Sequence, residues 1–215
     1  MNISSLKSLN IPLLGVALVI DLFLYIDGNA VFGDIFAPYQ SVVGIYLVMV
    51  TVALAFSGFA PNINIKIESA IITFVPVFIV SLLTFSAVFH VKQSQGMPLD
   101  EVILIILFQI LVVALSEEIV FRGILLQYLG GKMPAVVLQG IIFGLFHIGA
   151  YYTAIGGGFE LIVALVEAII FGIFMGLIVY YFNQMGKGGT GLSITWAIHS
   201  AWNLSLSLGI FTFNI

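Results

Sequence analysis

Seven apolar runs decide what this 215-residue chain can fold into: Ile11–Ile26, Tyr39–Ala60, Ser69–Val91, Glu101–Leu129, Pro134–Tyr152, Phe159–Asn183 and Thr190–Phe213. Each is long enough, or nearly so, to cross about 30 Å of hydrocarbon as a helix. Inside hydrocarbon a backbone must satisfy its own polar groups, which a helix does. With 61% hydrophobic residues against 7% charged, the chain reads as all-α: an integral membrane bundle of about seven transmembrane helices, one domain over 1–215. No basic patch exists, which excludes nucleic acid as a partner. Cysteine is absent, which excludes disulfides, thiolate catalysis and Cys-ligated clusters. The start resembles a signal peptide, with Lys7 ahead of Ile11 to Ile20, but Asp21-Leu22-Phe23 follows where small residues would mark cleavage. The segment is therefore expected to stay as a first span.

Turn chemistry separates the runs: Asp27-Gly28-Asn29, Ala60-Pro61-Asn62, Gln95-Gly96-Met97-Pro98, Gly130-Gly131-Lys132-Met133-Pro134, Gly156-Gly157-Gly158 and Gly186-Lys187-Gly188-Gly189. Pro76 should kink the third span. Lysine placement orients the bundle. A cytoplasmic N-terminus puts Lys7, Lys66, Lys132 and Lys187 inside and only Lys92 outside, with the C-terminus outside. Gly140-x-x-x-Gly144 and Gly172-x-x-x-Gly176 are patterns that let helices approach closely, read here as packing within the bundle.

Against that apolar background, Ser116-Glu117-Glu118-Ile119-Val120-Phe121-Arg122-Gly123 is costly. One charge at a helix centre costs about 2.5–3.5 kcal/mol on insertion scales. Glu118 and Arg122 stand at i and i+4 with the acid first, the favourable order for a pair. Glu117 points about 100° away and faces a different partner. The bland alternative is a neutralised helix end that only fixes packing. Two further spans carry imidazoles: Phe143-Gly144-Leu145-Phe146-His147, and His199-Ser200-Ala201-Trp202-Asn203, where His199 and Asn203 leave one helix face together. At 1.5 Å per residue, Glu117 lies about 18–20 Å from the break at Gly130, His147 about 20 Å from Pro134 and His199 about 14 Å from Thr190. All three fall in one layer between the inner interface and the midplane.

A carboxylate and an imidazole can share a water, take its proton and aim it at a carbonyl. A second imidazole and a carboxamide can donate to the oxyanion that forms. Alternatively Glu117, His147 and His199 could hold Zn2+ with one position open for water. The His-Glu-x-x-His pattern is absent, no serine sits in a Gly-x-Ser-x-Gly elbow, and only Asp21 is available for an aspartyl dyad.

Glu117-Glu118-x-x-x-Arg122, Phe143-x-x-x-His147 and His199-x-x-x-Asn203, in this order on successive late spans, resemble the CAAX protease and bacteriocin-processing (CPBP, or Abi) family, which includes the type II CAAX prenyl endopeptidases. The likeness covers about residues 102–203, and Phe171-Gly172-x-x-x-Gly176 resembles the family's small-residue stretch. The resemblance implies an intramembrane endopeptidase with a water-accessible catalytic cavity open to the cytoplasmic side. Glu117 and His147 would activate water, His199 and Asn203 would stabilise the oxyanion, and Glu118 and Arg122 would order the site. A metal-free glutamate mechanism is favoured, with Zn2+ as the other cofactor option. The expected partner is a membrane-associated peptide or prenylated protein in the lipid bilayer, and the expected location is the plasma membrane of a prokaryote. Two rival readings are a catalytically silent scaffold or immunity protein of the same fold, and a small proton-coupled transporter using the same residues as a relay.

Among the remaining polar residues, Glu167 is read either as an orienting partner of a catalytic imidazole or as a buried acid bonded to a carbonyl. Asp21 and His90 are assigned to interfaces. Trp196 and Trp202 flank His199, where they line a cleft or simply pack.

Overall fold

The computed structural model describes residues 64–88, 103 and 106–211, and among them there is no strand. The apolar runs 11–26 and 39–60 lie outside the described residues, as do Asp21, His90 and Lys92. Helix α1 is Ile67–Val88 and runs through Pro76 without ending. Helix α2 covers 108–128 in four consecutive segments, Phe108–Ala114, Leu115–Glu117, Glu118–Leu125 and Leu126–Tyr128. The first and third segments are wound with the wider i→i+5 pitch. Helices α3 (Met133–Phe146), α4 (Ile148–Ile155), α5 (Phe159–Gln184) and α6 (Gly188–Phe211) complete the described chain.

Two helical stretches, Met133–Tyr152 and Phe159–Gln184, are long and apolar enough to cross a membrane, and Ile67–Ser81 is a shorter apolar helix. The expected fifth span is broken. At His147 the backbone flattens to φ −82°, ψ −4°, and α4 starts afresh beyond it. No proline stands at the break, and though Gly144 and Gly149 flank it, the apolar run continues across it.

The distribution of side chains is that of a protein solvated by hydrocarbon. Phe159, Ile162, Ile170 and Phe174 on α5 are more than half exposed, as are Ile71, Ile72 and Val80 on α1. The interior holds Glu117, Glu118, Arg122, Gln139, Ser193 and Thr195, all fully buried. With lipid outside, burial of apolar groups gives no drive between helices, and close packing and hydrogen bonds take its place.

Both devices are present. Helices α3 and α5 cross where their glycines meet: a Cβ on Gly140 would lie 2.7 Å from the Ile173 backbone nitrogen, and one on Gly172 3.0 Å from the Gly140 Cα. The G-x-x-x-G patterns thus serve packing inside the bundle. Gln139 adds a polar clasp, donating from Nε2 to the Gly172 carbonyl at 2.7 Å. Helices α1 and α6 run parallel and in register. The Lys66 N–H donates to Ser193 Oγ at 2.5 Å, and twelve residues further along both helices Ser205 Oγ, which donates to the Ala201 carbonyl at 2.7 Å, stands 3.5 Å from the Phe78 carbonyl. Gly130 (φ +99°) and Gly131 (φ +61°) make the tight turn from α2 into α3, in backbone conformations that cost other residues strain.

Candidate active site

Helix α2 supplies the acids. Glu117, Glu118 and Arg122 are 0% exposed. The Arg122 Nη1 stands 3.1 Å from Glu118 Oε1, so the i, i+4 pair forms despite the wider helical pitch. The Arg122 guanidinium also lies 4.1 Å from the Phe143 ring centroid. A desolvated contact of this type contributes on the order of 2 kcal/mol. Ser116, the serine nearest the acids, donates its hydroxyl to the Val112 and Val113 carbonyls of its own helix, so it is occupied as a backbone partner.

Helix α6 brings His199, only 4% exposed. Its Nδ1 is 2.9 Å from Glu118 Oε1, the same oxygen that Arg122 engages. A carboxylate accepts, so Nδ1 carries a proton and Nε2 is turned toward Glu117. Nε2 stands 3.6 Å from Glu117 Oε2. Thr195, one turn before His199, donates its hydroxyl to the Leu192 carbonyl at 3.0 Å and lies beside the Glu118 carboxyl.

His147 arrives at the break between α3 and α4. Its Nδ1 is 2.8 Å from the Phe143 carbonyl. A carbonyl can only accept, which again puts the proton on Nδ1 and leaves Nε2 as the basic edge. That Nε2 is also 3.6 Å from Glu117 Oε2. One carboxylate oxygen is therefore equidistant from two imidazole edges. A water in contact with an oxygen and a nitrogen at about 2.8 Å each spans such a gap. His147 side chain is 17% exposed, so this edge of the cluster is the open one. Phe143 lies between the rings, 4.6 Å from His147 and 6.0 Å from His199 by centroids, and Tyr151 packs on the other side of His147 at 5.5 Å.

The structure thus gathers Glu117, Glu118, Arg122, His147 and His199. Asn203 lies one turn beyond His199 on α6, half-buried. Trp196 donates from Nε1 to the Ile110 carbonyl at 2.9 Å, which makes it a tie between α6 and α2. Trp202 is 43% exposed and packs over Phe171. Glu167 is exposed on α5, so the reading as a buried acid bonded to a carbonyl does not hold. The acceptors that orient the imidazoles are instead Glu118 and the Phe143 carbonyl. Residue type and position near a span end read Tyr151 as an interface anchor, and they give Thr195 no role. Each is four residues from a histidine, and i±4 spacing is the signal that could have found them.

Among the described residues no group of three or more His, Asp and Glu side chains closes into a metal-ligand set.

Compared with known proteins, residues 99–205 match the family model described as type II CAAX prenyl endopeptidase Rce1-like. All six residues from Glu117 to Asn203 proposed from the motifs fall inside the match. No curated protein and no solved structure matches the chain.

Proposed function

Because residues 99–205 make this chain a member of the Rce1-like type II CAAX prenyl endopeptidase family, we propose that it hydrolyses a peptide bond of a membrane-anchored, prenylated protein by a metal-free glutamate mechanism. The observation that carries the reading is the shared position of Glu117 Oε2, 3.6 Å from Nε2 of both His147 and His199.

Water enters between Glu117 and the more open His147. Glu117 takes a proton from it, with the His147 Nε2 lone pair holding the second O–H in line. The hydroxide oxygen attacks the scissile carbonyl carbon, and the carbonyl oxygen becomes an oxyanion. His199 Nε2 and the Asn203 carboxamide donate to that oxyanion. His199 can do so only with protons on both nitrogens, one held by Glu118 and the other facing the substrate. In that form Glu117, Glu118, Arg122 and His199 sum to zero charge, which suits a dry interior. When the C–N bond breaks, Glu117 returns its proton to the leaving amine. Two imidazoles, a carboxylate and a carboxamide supply both base and oxyanion donors, so no step needs a metal.

The test is hydrolysis of a farnesylated C-terminal peptide by the protein in phosphatidylcholine vesicles. Wild type should release the C-terminal fragment, and Glu117→Gln should lower kcat by about 10³-fold, within the range for a positioned base. Equal rates for the two proteins would overturn the mechanism. Absence of hydrolysis by wild type, on prenylated and unprenylated peptides alike, would favour a silent scaffold.

A further inference from the structure

The end of the bundle that carries the turns holds a second polar feature, about one-half of a membrane's thickness from the imidazoles. From Glu117 to Gln127 along α2, and from Gly189 to His199 along α6, the rise is about 15 Å. There a cavity of about 410 Å³ opens among Asn64 and Lys66 before α1, Gln127 near the end of α2, and Lys187, Gly188 and Gly189 at the start of α6. Two lysines from separate segments line it, and among the described residues no carboxylate does.

Its electrostatics follow from how α1 and α6 are joined. The Lys66 N–H bonds to Ser193 Oγ at 2.5 Å. Gly189 has no Cβ, which lets the Asn64 backbone oxygen sit against it. The two helices therefore start side by side, pointing the same way. Each helix start carries roughly half a positive charge, and here the two add rather than cancel. The Lys187 carbonyl accepts from the Thr190 and Gly191 N–H groups at 2.9 and 3.2 Å. The Gly188 and Gly189 N–H groups are left as the first-turn donors along the cavity wall. Two lysines and two helix starts, each start carrying about half a positive charge, border one small polar space. The nearest acid by sequence, Glu68 in the first turn of α1, is exposed and does not line the space.

We propose that this cavity binds the phosphodiester headgroup of an anionic membrane lipid. The position fits that source: α5 ends at Gln184 and α6 starts at Gly188, so the cavity lies where apolar helix gives way to turn. Tyr180 and Tyr181, just before the α5 end, sit where interfacial aromatics anchor to headgroups. The site is independent of the hydrolytic reading, since none of its residues belongs to the catalytic cluster.

Native mass spectrometry of the full chain in a neutral detergent tests it, with dioctanoyl phosphatidylglycerol, dioctanoyl phosphatidylcholine and inorganic phosphate as probes. The phosphatidylglycerol adduct should exceed the phosphatidylcholine adduct at least fivefold. The double variant Lys66→Gln, Lys187→Gln should lose at least fivefold of it, while Lys132→Gln, a nearby exposed lysine that does not line the cavity, should keep it. Equal loss in Lys132→Gln would assign the effect to general surface charge and overturn the site. Retention by the double variant would overturn it as well. Displacement of the lipid by equimolar inorganic phosphate would overturn the lipid assignment. Elution of each variant as a single sharp peak, as for wild type, shows that the comparison is between folded proteins.

Discussion

Each imidazole is the centre of a three-residue stripe at i−4, i and i+4, and the two stripes are built from opposite materials. Around His199 the neighbours are Thr195 and Asn203, both polar. Around His147 they are Phe143 and Tyr151, both aromatic. The polar stripe holds its ring through side chains: Glu118 takes Nδ1 at 2.9 Å, and Arg122 holds Glu118 in turn at 3.1 Å. The aromatic stripe holds its ring by faces, and leaves Nδ1 to the Phe143 main-chain carbonyl at 2.8 Å. One tautomer is thus set by groups that substitution can remove, the other by a backbone atom that it cannot. The His199 side should be sensitive to conservative changes, and the His147 side tolerant of them.

The hardest blow to that asymmetry is Arg122→Ala. It leaves Glu118 as a buried acid without its guanidinium partner, and breaking a buried pair in this way costs about 3–5 kcal/mol. Thermal melting in detergent should show the loss. On the aromatic side, Phe143→Leu removes the cation–π contact and ring packing, and the expected cost stays below about 2 kcal/mol. Equal losses would mean that the two stripes are supported alike, and the comparison would fail.

Next comes Glu118→Gln. The amide keeps an acceptor oxygen but no charge, so the His199 Nδ1–H loses its charged acceptor. A drop in kcat of about 10²-fold with KM unchanged is expected, in line with removal of one transition-state donor. A change confined to KM would place Glu118 in substrate binding instead.

How much of this could be read from residues alone differs between the stripes. The Glu118–Arg122 pair is an i, i+4 relation inside one helix, and spacing alone exposes it. That Glu117, His147 and His199 share a layer follows from counting 1.5 Å steps along three spans from their turns. The Glu118–His199 bond is another matter. It joins residues 81 positions apart, and it depends on how α2 and α6 rotate about their axes. Helix α2 is also wound i→i+5 from Glu118 to Leu125, and composition carries no mark of it. The break at His147 was hidden for a similar reason: Gly144-Leu145-Phe146-His147-Ile148 continues an apolar pattern across a turn. Glu167 shows the reverse failure. A charge inside an apolar run invites a buried role, but its position on α5 turns it outward.

A smaller effect separates the outer members of the stripes. Thr195→Val removes a hydroxyl from beside Glu118, one that donates to the Leu192 carbonyl, while keeping the shape of the side chain. With Arg122 and His199 still on Glu118, a decrease in kcat of roughly 3–10-fold is expected, below the loss of a full hydrogen bond to a charged group, about 1.5–3 kcal/mol. Tyr151→Phe keeps the ring against His147 and should change kcat by less than about twofold, since only packing is claimed for it. A larger effect from Tyr151→Phe than from Thr195→Val would reverse the assignment of polar and aromatic roles.

The smallest expected effect is none, and it bears hardest on the comparison. In a zinc mechanism His147 and His199 would be two ligands of one ion, each needed in the same way. The difference between the stripes would then have no chemical meaning: alanine at either histidine would release the metal and abolish turnover alike. In the metal-free mechanism one ring holds the attacking water and the other meets the oxyanion. His147→Ala and His199→Ala then differ in what repairs them. Added imidazole should restore part of the His147→Ala rate, because that edge of the cluster is the more open one, and little of the His199→Ala rate, whose ring is enclosed. Prolonged treatment with 1,10-phenanthroline, followed by elemental analysis of the treated protein, should leave turnover within about twofold of the untreated enzyme, a difference of less than about 0.4 kcal/mol in barrier. A tenfold loss that stoichiometric Zn2+ reverses would replace the glutamate mechanism with a metal-bound water, and would make the two imidazoles equivalent after all.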